Sequence, residues 1–102
     1  MLTPFEKKQL KSIANTISTR YQVGKNEITD TLLDMLEKAL VAHELIKIDV
    51  MKATDRPVME IALDLSTKLK ADVVDIIGRV VILYRKSPDK DKQKIKLLKK
   101  WI

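Results

Sequence analysis

The chain has no cysteine, a single histidine, two glycines and three prolines, and each scarcity removes a class of chemistry. Without cysteine there is no disulfide and no thiolate, whether as nucleophile or as metal ligand. With His43 as the sole imidazole, a transition-metal site lacks its usual ligands, and none is expected. His43 falls near the end of a helix, where it can cap that helix or pack against a sheet. Two glycines cannot furnish a Walker or dinucleotide-binding loop, so no nucleotide cofactor is expected. Aromatics are few, namely Phe5, Tyr21, Tyr84 and Trp101, and none forms the exposed strand pair on which an RNA-recognition motif stacks bases. No apolar run approaches the roughly 18 residues of a membrane span, and Met1 to Lys8 has no apolar signal region, so a cytoplasmic location is the expectation. Asp30, Asp34 and Glu37 share a helix face with Lys38 nearby, which suits a salt-bridged surface better than an acid/base pair. No nucleophile has an adjacent base, and catalysis is not expected.

What the chain does have is enough apolar residue for one core and a pronounced bias in charge. At 102 residues, 45% hydrophobic and 33% charged, it is the size of one ordinary soluble domain. The net charge is +6, and all of it lies at the C-terminal end. There Arg85, Lys86, Lys90, Lys92, Lys94, Lys96, Lys99 and Lys100 face only Asp89 and Asp91, while residues 1–84 balance to zero. A neutral body with a cationic tail points to a polyanionic partner, nucleic acid first and membrane surface second, or else to a solvated solubility tail.

Hydrophobic spacing divides residues 1–86 into seven elements. Thr3 and Glu6 read as a capping box around Pro4, and Leu10, Ile13, Ala14 and Ile17 follow at helical spacing, which predicts a helix over residues 4–19. A short strand, Tyr21 to Val23, runs into a turn at Gly24-Lys25-Asn26-Glu27. Thr29 is the predicted N-cap of a second helix that buries Leu33, Leu36 and Leu40. Leu45 to Met51 alternates, with Ile46, Ile48 and Val50 on one side and Lys47 and Asp49 on the other, the pattern of a half-exposed strand. Thr54-Asp55-Arg56-Pro57 starts a third helix with Val58, Ile61, Ala62, Leu65 and Leu69 inward. Two β-branched runs joined at Gly78-Arg79 read as a hairpin with a type II′ turn, apolar on both faces, so helices should cover both sides. The order α-β-α-β-α-β-β predicts a compact single α/β domain, a four-stranded mixed sheet with helices packed on it. Residues 87–102 read as a separate basic tail with Ile95, Leu98 and Ile102 on one side of a marginal helix. Such a tail could serve a protein-interaction or membrane-surface adaptor, the alternative to a nucleic-acid role.

The turn after the first strand carries the sharpest signal. A tight turn that feeds a helix N-terminus gathers amide donors and the positive end of the helix dipole. Gly24 would let a phosphate approach, Lys25 would supply charge, and Asn26 could donate to a phosphate or ribose oxygen. A plain connection built on a left-handed glycine has the same spacing. Lys7, Lys8 and Lys11 could form a phosphate-facing ridge or a solvated helix face, and Arg79 at the hairpin tip is an exposed cation on this reading.

Gln22-Val23-Gly24-Lys25-Asn26, Ala42-His43-Glu44-Leu45-Ile46-Lys47 and Ile77-Gly78-Arg79-Val80-Val81-Ile82-Leu83-Tyr84-Arg85 occur in that order and spacing. Together they resemble the CRM domain (chloroplast RNA splicing and ribosome maturation) in its stand-alone, YhbY-like form, across roughly residues 2–86. The resemblance implies an α/β fold related to the C-terminal domain of translation initiation factor three. It further implies association with ribosomal RNA of the large-subunit precursor, through a Gly-x-x-Gly loop and neighbouring basic residues. That loop corresponds to Gly24 through Glu27, where Glu27 replaces the second glycine. A carboxylate there costs phosphate affinity unless it turns away or caps the helix, and it shifts contact toward Lys25 and the first helix. The expected RNA-binding set is Gly24, Lys25, Asn26, Lys7, Lys8, Lys11, Arg20 and Arg79, on a monomer with neither DNA nor membrane as its expected partner.

Overall fold

The computed structural model of the chain describes residues 2–17, 20–25, 28–52, 54 and 56–86. Asn26, Glu27 and the basic tail from residue 87 onward, with the readings made of them, lie outside the described residues.

Among the described residues seven elements appear in the expected order: α1 (Pro4–Ala14), β1 (Tyr21–Val23), α2 (Asp30–His43), β2 (Leu45–Val50), α3 (Val58–Leu69), β3 (Asp72–Ile77) and β4 (Val80–Tyr84). The capping box forms: Thr3 Oγ1 accepts from the Glu6 amide at 3.1 Å, and Glu6 Oε1 accepts from the Thr3 amide at 3.0 Å. The helix is shorter than its apolar spacing predicted. Thr16 directs both its amide (3.0 Å) and its hydroxyl (2.7 Å) onto the Ile13 carbonyl, and the Ile17 amide falls back to Ala14 at 3.0 Å. With the Ile13 acceptor taken, the i to i−4 ladder cannot continue, and α1 closes at Ala14. In α2, Thr29 Oγ1 caps the Leu32 amide at 3.1 Å. The far end of α2 is closed by the backbone of Glu44, which donates to the Leu40 carbonyl at 2.8 Å, while His43 is exposed and neither caps the helix nor packs on the sheet.

The four strands lie in the order β1-β2-β4-β3, with β1 and β2 parallel and the other two pairs antiparallel. Ile77 pairs with Val80 across Gly78-Arg79, and only Gly78 has positive φ (59°), as a type II′ turn requires. The sheet is covered on both faces. On one, Ile46, Ile48, Val50, Val81 and Leu83 meet Leu36 and Leu40 of α2 and Ile61, Ala62 and Leu65 of α3. On the other, Leu45, Val74, Ile82 and Tyr84 receive Leu10 and Ala14 of α1.

That second layer overturns the reading of β2 as half-exposed. Lys47 is only 7% exposed, because α1 lies over the face that alternation assigned to solvent. Its ammonium donates to the Ile17 carbonyl at 2.7 Å, so a buried cation ties the segment after α1 to the central strand. β3 carries a bulge between Val73 and Asp75, so Val74 packs under α1 while Asp75 reaches Lys11.

The parallel pair shapes the end of the molecule that matters below. Because α2 returns the chain to the start of β2, the C-terminal ends of β1 and β2 lie side by side, and the Met51 amide donates to the Val23 carbonyl at 2.9 Å. Both α2 and α3 begin at this end, and the hairpin tip meets it too, with the Val50 amide donating to the Arg79 carbonyl at 2.8 Å.

Candidate nucleic-acid interface

Open α/β sheets bind ligands beyond the carboxyl ends of their parallel strands, and here that place is occupied by Gly24-Lys25 and Met51-Lys52. Gly24 is not left-handed, contrary to the plain-connection reading. Nor does packing among the described residues require glycine, since of these a Cβ at this position would meet only Met51 Sδ, at an ordinary 3.9 Å. Among the described residues, neither backbone conformation nor a neighbouring atom demands a glycine here, and the position leaves room for a group to approach from outside.

Lys25 and Lys52 are both exposed, and neither is ion-paired with another described residue. Lys52 was not among the candidates drawn from spacing. Its signal was available only as a lysine directly following a strand, and it gains meaning once β2 is known to lie parallel to and beside β1. Met51 and Ile77, 45% and 47% exposed, give the same end an apolar element suited to a sugar or base face.

Arg79 is not the exposed cation its hairpin position suggested. Its Nε donates to the Val50 carbonyl at 2.7 Å, and one terminal nitrogen donates to the Met51 carbonyl at 2.7 Å and to Thr54 Oγ1 at 3.2 Å. A two-residue turn places the Arg79 stem alongside β2, where the carbonyls at the strand's end await donors. Arg79 is thus a clamp on the β2–α3 connection.

The remaining expected cations divide. Lys11 is engaged by Asp75 at 3.0 Å, and that ammonium, helped by the Ile76 amide, holds the Asp75 carboxyl below its ordinary range. Arg20 reaches Asp49 at 3.5 Å on the α1 side of the sheet. Lys7 and Lys8 are exposed and not ion-paired with any described residue, but they ride on α1, whose partners Leu45 and Tyr84 pair at the opposite end of β2 from Val50. Five steps of strand, about 17 Å, separate those ends. The structure therefore brings Gly24, Lys25, Lys52 and the Arg79 clamp together at the strand ends and leaves Lys7 and Lys8 as a separate cationic strip on α1. Among the described residues no three side chains converge as a metal site would require. No described helix is long and apolar enough to cross a membrane.

Fold and site together define a small α/β domain with cations and an unforced glycine at the ends of a parallel strand pair. Residues 2–85 match the CRS1/YhbY (CRM) domain family. The chain is 32% identical over 89 residues to Probable RNA-binding protein YqeI of Bacillus subtilis, an alignment covering 87% of this chain and 93% of that one. It is 35% identical over 91 residues to Probable RNA-binding protein PA4753 of Pseudomonas aeruginosa, covering 89% and 88%. The solution structure of hypothetical protein SAV1595 from Staphylococcus aureus superposes with a TM-score of 0.76 at 29% identity, covering 94% of this chain and all of the other. The chain belongs to the CRS1/YhbY (CRM) domain family.

Proposed function

We propose that this protein binds RNA through its phosphate backbone and acts without catalysis as an assembly factor on the ribosomal RNA of the large-subunit precursor, in the cytoplasm and as a monomer. The observation that carries the RNA reading is Gly24. It is a glycine that neither its torsion angle nor packing among the described residues demands, flanked by exposed Lys25 and set at the carboxyl ends of two parallel strands. Relatives named as RNA-binding proteins support the same reading. Few aromatics and several exposed lysines favour recognition of backbone and shape over base stacking.

Electrostatic docking of this kind releases counterions. With Lys7, Lys8, Lys25 and Lys52 each meeting one phosphate, the log–log slope of affinity against salt should be near −3, at about 0.7–0.9 per contact. Titration of a labelled RNA stem-loop across a salt series measures it, and a flat response would remove the mechanism. The ribosomal assignment is tested separately by sedimenting cell lysate on a sucrose gradient. Comigration with large-subunit precursors is expected, and protein confined to the top fractions refutes the assembly role.

A further inference from the structure

Resting on the RNA reading above, we infer that Lys52 is a second phosphate-binding residue of the strand-end site, and that Arg79 serves binding by positioning it. Lys52 follows the strand that lies parallel to β1, and the Met51 amide donates a 2.9 Å hydrogen bond to the Val23 carbonyl, with the Met51 side chain beside Gly24. Lys25 and Lys52 therefore both follow adjoining strand ends, where one phosphate backbone could meet both.

The described residues on either side of Lys52 are tied by several hydrogen bonds. The Met51 carbonyl accepts from the Thr54 amide at 3.1 Å, from Thr54 Oγ1 at 2.8 Å and from Arg79 at 2.7 Å. Arg79 Nε holds the preceding carbonyl, Val50, at 2.7 Å. Thr54 is itself buried. A planar guanidinium can span two successive carbonyls and the Thr54 hydroxyl, whereas a lysine ammonium at the same place cannot reproduce that fork. The arrangement fixes the Val50 and Met51 carbonyls, directly before Lys52, ahead of any ligand, which lowers the entropy cost of presenting Lys52. Arg79 spends its donors inside the protein and adds its effect through Lys52.

Three variants and one double variant, titrated with a fluorescent RNA stem-loop of mixed sequence, separate the possibilities. Lys52→Ala should weaken binding about fivefold near 0.15 M salt and make the salt slope shallower by roughly one contact. Arg79→Lys, which keeps the charge and loses the fork, should weaken binding to a similar degree. Adding Arg79→Lys to Lys52→Ala should cost little beyond Lys52→Ala alone, because both act through the same contact. If Arg79→Lys proves poorly folded by circular dichroism, Thr54→Val loosens the same turn without altering charge and should give the same pattern. Wild-type affinity and slope in Lys52→Ala would overturn this inference while leaving RNA binding intact. Fully additive losses, or an Arg79→Lys variant that binds like the parent, would overturn the positioning role. A parent protein with no salt-dependent RNA binding would instead defeat the reading on which both rest.

Discussion

Replacing Gly24 by alanine should move stability and binding in opposite directions. A glycine kept for its backbone would resist the change, but Gly24 lies outside the left-handed region and an added Cβ finds Met51 Sδ at 3.9 Å, an ordinary contact. The substitution then acts mainly on the unfolded chain, whose conformational freedom it reduces, and should stabilise by about 0.4–1 kcal/mol. For a domain of this size that raises Tm by about 2–8 °C. On the outside the same methyl group stands where a phosphate is held to approach. Loss of one charge-assisted hydrogen bond, about 1.5–3 kcal/mol, lowers RNA affinity by about 10- to 150-fold. Thermal unfolding followed by circular dichroism, together with fluorescence anisotropy on a labelled stem-loop, reads both effects in one preparation. Unchanged affinity would show that no ligand approaches Gly24. A fall in Tm of several degrees would show that the glycine is structural and would remove the reason for placing the site there.

Arg85 links three elements, donating to both Glu37 carboxylate oxygens at 2.6 and 3.0 Å and to the Leu69 carbonyl at 3.0 Å. Glu37 is about half exposed, so Arg85→Ala should cost a discounted ~1–2 kcal/mol and lower Tm by about 5–15 °C in thermal melts. The Arg85 hydrogen bond holds the Glu37 carboxyl below its ordinary value, and Lys11 does the same for Asp75. A depressed folded pKa gives stability that is present above the unfolded value, near 4, and is lost as pH falls through the folded one. Unfolding midpoints measured from pH 7 down to pH 2 should therefore decline on the acid side, and Arg85→Ala should flatten the part due to Glu37. Lys11→Met should cost only ~0.2–1 kcal/mol and leave RNA affinity nearly unchanged, since Asp75 already holds that ammonium, whereas Lys25→Met should weaken binding about fivefold. Equal losses from both lysine variants in the same titration would show that Asp75 does not withhold the Lys11 ammonium from RNA.

Much of the local structure could be read from residue order. Thr3 and Glu6 announce the first cap, Thr29 the second, and a glycine at the first position of a two-residue connection fits a type II′ hairpin, because each of these devices is completed within four residues. The inward face of α3 follows from spacing for the same reason, whereas in α2 Leu32 is buried beside Leu36 and Leu40 and the expected Leu33 is only partly covered. Where expectation and structure part, a partner distant in sequence intervenes. Alternation in β2 exposed Lys47, but α1 closes that face and its Ile17 carbonyl, thirty positions away, takes the ammonium. A hairpin tip implied a free Arg79, yet its guanidinium meets carbonyls twenty-eight and twenty-nine positions earlier. Lys52 had no motif of its own.

Sequence alone determined which segments form helices and strands and how α1 and α2 begin, since hydrogen bonds between near neighbours and the periods of helix and strand decide those matters. Tertiary structure decided which cations are available to a ligand. A lysine or arginine is free or engaged according to the carbonyls and carboxylates that folding brings within about 3 Å of it, and those lie on other elements. By that criterion Lys11, Lys47 and Arg79 are engaged within the fold, and Lys25 and Lys52 stand at the strand ends.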